Sequence, residues 1–388
     1  MSNIVGIICE YNPFHNGHLY QINKIKEEKP DSKIVAIMSG NTTQRGEFSI
    51  FEKYKRAEIA LHLGVDLVLE LPFPYSSSTA EIFALAGVEI ATEIGCDELY
   101  FGTENCTLEY LAQLAELIDS EAFEKSLSLE LNDKKCSYIV AKERVLSSFG
   151  FEKALFANDM LGVEYLRAIN KKGKKITPCT IKRVGSGYND KDISDVMSAS
   201  AIREYYYNEN NLLGVPSEAK TFYDDIIKNN EVLDKNSVID FIFKYVVLCP
   251  IEQIAKAFDS SSEIASIIKS IALESKNGEE FYQKLSTKTY TRARLCRIIL
   301  YTLFGISKID KCPKFTILLA SNDNGREILN GAKKSNINVI TKHSDANELD
   351  LSSKSLFENL YEVDRLYYSF LKNDEVPSSA YKKKPIIK

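Results

Sequence analysis

Four short apolar runs, Ile4–Cys9, 34–38, 66–71 and 98–102, recur at a spacing of roughly thirty residues with a helical pattern between them, and this rhythm admits few folds. The first run is short, rich in β-branched residues and bounded by turn formers, as a buried strand should be. Strand, helix and strand in that order imply a parallel sheet with helices on both faces. The intervening helices mark their own ends: residues 54–63 stop at Gly64 and Ala80–Ile94 at Gly95, since glycine most easily leaves the helical conformation. Further helices are expected over 108–149. Another is expected to be capped by Asn158 and Asp159 with Leu161, Tyr165 and Ile169 on its core face, and a last strand over 176–184 completes the sheet.

The first strand runs directly into Cys9-Glu10-Tyr11-Asn12-Pro13-Phe14-His15-Asn16-Gly17-His18-Leu19-Tyr20. Asn12-Pro13 breaks the chain, and from Gly17 the apolar spacing of Leu19, Ile22 and Ile25 is helical. His15 and His18 therefore fall at the first turn of a helix that follows a strand, where unpaired N–H groups and the positive dipole end favour anions. Two imidazoles there can donate to phosphate oxygens that gain charge as pyrophosphate leaves. Solvated loop histidines are the plainer alternative. Two histidines three apart can also share zinc, but His62 and His343 have no ligand-like neighbours, so a closed site needs Cys9 and a remote donor.

At 388 residues and 44% hydrophobic the chain can bury a large core and is expected to form two domains. Residues 1–212 read as a Rossmann-like, doubly wound α/β domain. The period is lost between Tyr205 and Pro216, and 213–388 read as mainly helical, with segments near 220–232, 235–248, 251–258, 261–275 and 291–304. A small α/β element near 313–342 has strands at 315–319 and 336–340 around a helix near Gly325. No run approaches the roughly 20 apolar residues of a membrane span, and the first apolar stretch is short and lacks a basic leader, so the cytoplasm is the expected compartment. The eight cysteines include no C-x-x-C pair and are expected to be reduced. A net charge of −5 gives no global attraction to nucleic acid, so any RNA contact rests on a local basic patch; DNA is not expected.

Ligands of such sheets bind at the carboxyl ends of the strands, which here supply His15 and His18, Ser39-Gly40-Asn41 and Gly102. Gln44, Arg45 and Gly46 follow in a polar loop, while Lys53, Lys55 and Arg56 read as a solvated helix face. Asn158 is either a helix cap or a ligand contact. Lys182 and Arg183 end the last strand and either reach the same crevice or lie on the surface. In Met197-Ser198-Ala199-Ser200-Ala201-Ile202-Arg203, Ser198 is the cap candidate, with Ser200 and Arg203 forming a second helix-terminus cradle for phosphate.

A His-x-Gly-His junction paired with a serine-rich, arginine-ended motif resembles the nucleotidyltransferase superfamily. Class I aminoacyl-tRNA synthetases share the first motif but pair it with a lysine-rich loop that is absent here. Residues 10–18, Gly40-Asn41, Gln44-Arg45-Gly46, 55–58, 66–72, 101–104, Asn158 with 164–166, 198–203, 290–294 and 384–387 together resemble the bacterial tRNA(Met) cytidine acetate ligases over nearly the whole chain. Two departures stand out: Thr42-Thr43 replace the usual aromatic and aliphatic pair, which bears on the carboxylate pocket, and Thr289 replaces a basic residue. The resemblance implies activation of acetate by ATP and acetylation of the exocyclic amine of the wobble cytidine in elongator tRNA(Met). It implies that ATP is held by Ile7, Ile8, Cys9, Glu10, Tyr11, Asn12, Pro13, Phe14, His15, Asn16, Gly17, His18, Leu19 and Tyr20, with Gly102, Asn158, Arg183 and Val184.

On that reading His15, His18 and Arg203 are catalytic, with Arg183 and Ser200 at the phosphates, and no enzyme nucleophile is required. Magnesium is expected to accompany ATP, although no carboxylate cluster marks a separate metal site. The RNA-binding candidate is the helix that starts near Thr291: Leu295, Ile298, Ile299 and Leu303 form its buried face, leaving Arg292, Arg294 and Arg297 for backbone phosphates and Tyr290 for stacking. The rivals are a small-molecule nucleotidyltransferase similar to pantetheine-phosphate adenylyltransferase or pantothenate synthetase, and an RNA-binding protein without catalysis.

Overall fold

The computed structural model describes residues 3–134, 138–152, 155–173, 175–183, 197–332 and 335–388. Eight strands form one sheet: β1 (Ile4–Cys9), β2 (Lys33–Ser39), β3 (Leu67–Leu71), β4 (Glu98–Thr103), β5 (Thr177–Lys182), β6 (Phe315–Ser321), β7 (Asn338–Ile340) and β8 (Ile386–Ile387). The order is β5-β4-β1-β2-β3-β6-β7, with β8 also on β6. The first five strands run parallel, as crossover helices require. Between β1 and β4 the strand order reverses, which opens a crevice at their carboxyl ends.

The expected small element at 313–342 does not stand apart from this sheet. Strand β6 pairs antiparallel with β3, Leu67 opposite Ser321 and Glu70 opposite Ile317, so the sheet crosses the boundary expected at residue 212. Sequence rhythm cannot show such a pairing, because β6 lies more than two hundred residues beyond β3 and only the tertiary fold brings their edges together. Every residue of β3 and β6 is buried. Two apolar cores lie on the two faces of the sheet, one beneath the helices Ala80–Ile94, Leu108–Ile118 and Ala157–Lys171, the other beneath Asn16–Glu28, Lys53–His62 and the helical layer that precedes β6.

Most helix ends follow their local chemistry. Thr79, Thr107 and Thr291 each accept a backbone N–H as caps, and Gly95 closes Ala80–Ile94 at φ 89°. The expected cap at Asn158 and Asp159 is a different contact. Helix Ala157–Lys171 begins after Phe156, so both residues lie inside its first turn, and Asp159 instead accepts N–H bonds from Glu104 (2.9 Å) and Asn105 (3.2 Å) beyond β4.

The solvated face expected of Lys53 and Arg56 is also overturned; only Lys55 stays near the surface, paired with Glu231. Lys53 is buried between Glu70 (2.8 Å) and Asp364 (2.6 Å). Arg56 is buried too: its Nε donates to the Phe51 carbonyl (3.0 Å) and its Nη atoms to the carbonyls of Glu10 (2.5 Å), Ser39 and Gly40. One guanidinium thus ties together the carboxyl ends of β1 and β2. Asp364 comes from the helix Leu351–Tyr368, which also receives the Asn41 amide at 2.9 Å.

Candidate active site

His15 is the N-cap of helix Asn16–Glu28. Its Nδ1 accepts the Gly17 N–H at 3.1 Å, and the Nδ1 of His18 accepts the His15 N–H at 3.2 Å. The two rings stack with centroids 3.7 Å apart and planes 20° apart. The edges of Tyr11 (4.9 Å) and Phe14 (5.4 Å) hold His18 from the sides. Burial pushes the His15 pKa down to about 4, assisted by the Arg183 charge. Burial likewise pushes His18 well below its ordinary value, with the charges of His15 and Arg183 adding to the effect. Both imidazoles are therefore neutral at pH 7, and since each Nδ1 accepts a backbone N–H, each ring proton sits on Nε2.

The helix N-terminus was expected to offer unpaired N–H groups to phosphate. In the structure these groups have partners: Asn16 N–H donates to the Gly214 carbonyl (3.0 Å), Gly17 N–H to His15 and His18 N–H to the His15 carbonyl (2.9 Å). The cap itself satisfies them. The donors left for an anion are the Nε2–H groups and arginine.

A cleft of about 40 Å³ at the reversal point is lined by Gly17, His18, Tyr20, Gln21, Gly102, Ile181 and Arg183. A Cβ at Gly102 would lie 2.9 Å from Arg183 Cγ, so the glycine lets that side chain lie across β4. The Arg183 Nη1 donates to the Asn158 carboxamide oxygen at 3.2 Å, and Asn158 in turn donates to Glu104. The structure thus brings His18, Gly17, Tyr20, Gly102, Asn158 and Arg183 together at one crevice. Val184 lies outside the described residues. Gln21 and Ile181 were missed, although Gln21 carried a signal: it lies one helical turn after His18, on the same face.

The other loop residues act through the loop. Ile7, Cys9, Tyr11, Asn12, Pro13 and Phe14 are buried; Asn12 accepts the Ile50 N–H (2.9 Å), and the Phe14 carbonyl accepts the Tyr223 hydroxyl (2.8 Å). Ile8 is half-buried on β1, and Leu19 packs against the core. Glu10 accepts the Gln44 N–H at 2.7 Å; burial pushes its carboxyl up, against the pull of that bond and of the Arg203 and Arg56 charges.

Arg203 meets the same loop by donating to the Asn12 carbonyl at 2.6 Å, but with Ser200 it lines a second cavity of about 440 Å³. Ser198 caps their helix by accepting the Ala201 N–H (3.2 Å) and lies 3.1 Å from the Ser200 hydroxyl. Thr42 and Thr43 are buried against Ser76 and Ser77 and line neither the cleft nor the cavity.

The arginines expected to face RNA are not equivalent. Arg294 is held by both carboxylate oxygens of Asp259 (2.7 and 3.0 Å) and lies over the Tyr290 ring, and its side chain stays 37% exposed. Arg297 donates to the Gln44 carbonyl (3.2 Å), and burial pushes its pKa down. The cause is close packing: Gly46, at φ 75°, leaves no room for a Cβ, which would lie 2.5 Å from the Arg297 nitrogen. Arg292 alone lines the larger cavity.

Among the described residues no three His, Cys, Asp or Glu side chains converge as a metal site, and no helix is long and apolar enough to cross a membrane. The HIGH Nucleotidyl Transferase family model matches residues 2–383. The chain is 33% identical to the tRNA(Met) cytidine acetate ligase of Fusobacterium nucleatum, over 98% of this chain and 96% of that one. It is 35% identical to that of Ligilactobacillus salivarius, over 89% and 92%. The crystal structure of Thermotoga maritima TmcAL bound with alpha-thio ATP matches with a TM-score of 0.88 at 27% identity, over 99% of both chains. The chain belongs to the tRNA(Met) cytidine acetate ligase family, within the HIGH nucleotidyl transferases.

Proposed function

We propose that the chain activates acetate with ATP and transfers the acetyl group to the exocyclic amine of the wobble cytidine of elongator tRNA(Met). The observation that carries this is the pair of neutral, stacked imidazoles, each with Nε2–H free to donate, beside Arg183 at the reversal point of a sheet whose relatives carry that name. The Thermotoga relative holds an ATP analogue, which supports ATP as the nucleotide.

In the first step an acetate oxygen attacks the α-phosphorus, the bond to pyrophosphate breaks, and acetyl-adenylate forms. His15 and His18 donate to the phosphate oxygens through Nε2–H, and Arg183, steadied by Asn158, adds fixed positive charge. Neutral donors suit this role, because they stabilise developing charge without having to lose or gain a proton. In the second step the cytidine amine attacks the acetyl carbon, the bond to the phosphate oxygen breaks, AMP leaves with the electron pair and the amine loses one proton. The buried loop around Tyr11 and Phe14 helps to exclude water, which would otherwise hydrolyse the mixed anhydride.

Magnesium, in this reading, is bound by the nucleotide's own phosphates. The described residues provide no separate cage for it, and no step above runs through it. Incubation with ATP, labelled acetate and total tRNA tests the proposal. Acetylcytidine in tRNA(Met), with AMP and pyrophosphate in equal amounts, is expected; acetate-independent pyrophosphate exchange, or none, overturns it.

A further inference from the structure

The larger cavity takes no part in the phosphate cleft, which His18, Gly102 and Arg183 line. At about 440 Å³ it falls within the range of small-molecule sites and far exceeds what acetate fills. Phe48, Phe281, Leu285 and Ile299 give it an apolar floor. One wall carries a stack, the Arg292 guanidinium 4.8 Å from the centre of the Tyr282 ring. Arg292 lines the cavity, so its guanidinium supplies the donor there. The Tyr282 hydroxyl donates to Glu47 and so orients that carboxylate, whose other lone pairs remain as acceptors.

An apolar floor, an aromatic stack, a donor and an acceptor match the ring and the Watson–Crick edge of cytosine, whose N3 and O2 accept while its exocyclic amine donates. The position also fits. Arg203, in the cavity wall, holds the Asn12 carbonyl, and Gln44, beside Arg45 and Gly46 of the wall, holds Glu10, so the cavity abuts the loop that carries both histidines. We propose that this cavity receives the wobble cytidine, unstacked from the anticodon loop, with its ring against Tyr282 and Arg292 and its amine toward Glu47. This rests on the tRNA acetylation reading above.

The test uses the full chain and two variants, Val238→Phe, which fills the cavity, and Tyr282→Ala, which removes the stack. Acetate-dependent pyrophosphate exchange and acetylation at saturating tRNA(Met) are measured on each. The ratio of acetylation to exchange is expected to fall about tenfold or more in both, and a fluorescent cytidine analogue at the wobble position is expected to lose its protein-induced change in emission. Wild-type ratios in both variants overturn the pocket assignment. Where exchange falls in parallel, the isosteric Glu47→Gln decides: a tenfold lower ratio supports the assignment, and an unchanged one overturns it. If the wild type itself forms no acetylcytidine, the failure belongs to the proposed function rather than to the pocket.

Discussion

Each stacked imidazole spends its Nδ1 on a backbone N–H, so only Nε2–H can donate outward. His18→Ala removes one such donor from the phosphates and should lower acetate-dependent exchange on the order of a hundredfold or more. Its melting temperature should fall as well, since the His15 N–H loses its acceptor and Tyr11 and Phe14 lose the ring they pack against, so exchange is compared well below the transition; undiminished exchange in a folded variant would remove His18 from the mechanism. His15 has a second, acid-dependent signature. The folded protein holds it neutral down to about pH 4, whereas its ordinary pKa is 6.5. Between those values the unfolded chain binds more protons, so stability rises with pH across the window and is lost on acidification. His15→Asn keeps a cap oxygen for Gly17 but cannot titrate. Urea unfolding at pH 6.5 and pH 5 should show the wild type losing about 2 kcal/mol more than the variant; parallel losses would contradict the buried, neutral state. The motif was legible as chemistry because residue type and position coincide. That its caps would consume the N–H groups was not legible, since the choice between His Nδ1 and a phosphate oxygen depends on ring orientation.

At the scale of elements, the helices beginning at Lys53 and ending at Tyr368 meet around one buried ammonium. Without Lys53, the carboxylates of Glu70 and Asp364 lose the cation that both of them contact. Lys53→Met should therefore cost on the order of 3–5 kcal/mol in urea unfolding at pH 7. Burial already raises the Glu70 pKa to about 7 despite Lys53. In the variant its folded pKa lies still further above the unfolded value, so the protonated form favours folding and the deficit should shrink as pH falls. A deficit that grows in acid would mean the carboxylates have found other partners. This network also explains what the sequence hid. Helix Leu351–Tyr368 buries Phe357, Leu360, Val363 and Tyr367, but Asp364 interrupts the stripe with a charge. An isolated Asp on an apolar face reads as a break in the period, and its partner stands 311 residues earlier. By contrast Ala80–Ile94 was legible to its last residue, because Thr79 and Gly95 terminate it locally.

Across the whole molecule, the residues proposed to hold ATP lie before residue 212 and the cavity's far wall after it, yet one sheet joins both parts. Strand β3 depends on β6 for its outer edge, and the Lys53 ammonium depends on Asp364 for half of its charge compensation. A fragment of residues 1–212 would expose the edge of a strand whose five residues are all buried in the full chain, together with the apolar face that the helical layer covers. Such an edge is a template for pairing with other chains. The fragment is therefore expected to aggregate or to unfold without a cooperative transition, although it holds His15, His18, Gly102, Asn158, Arg183 and Arg203. Urea titration followed by circular dichroism, with ATP binding measured alongside, checks this. A fragment that unfolds cooperatively and binds ATP as the full chain does would show that the first five strands form an independent nucleotide-binding unit, and that β6 only extends it.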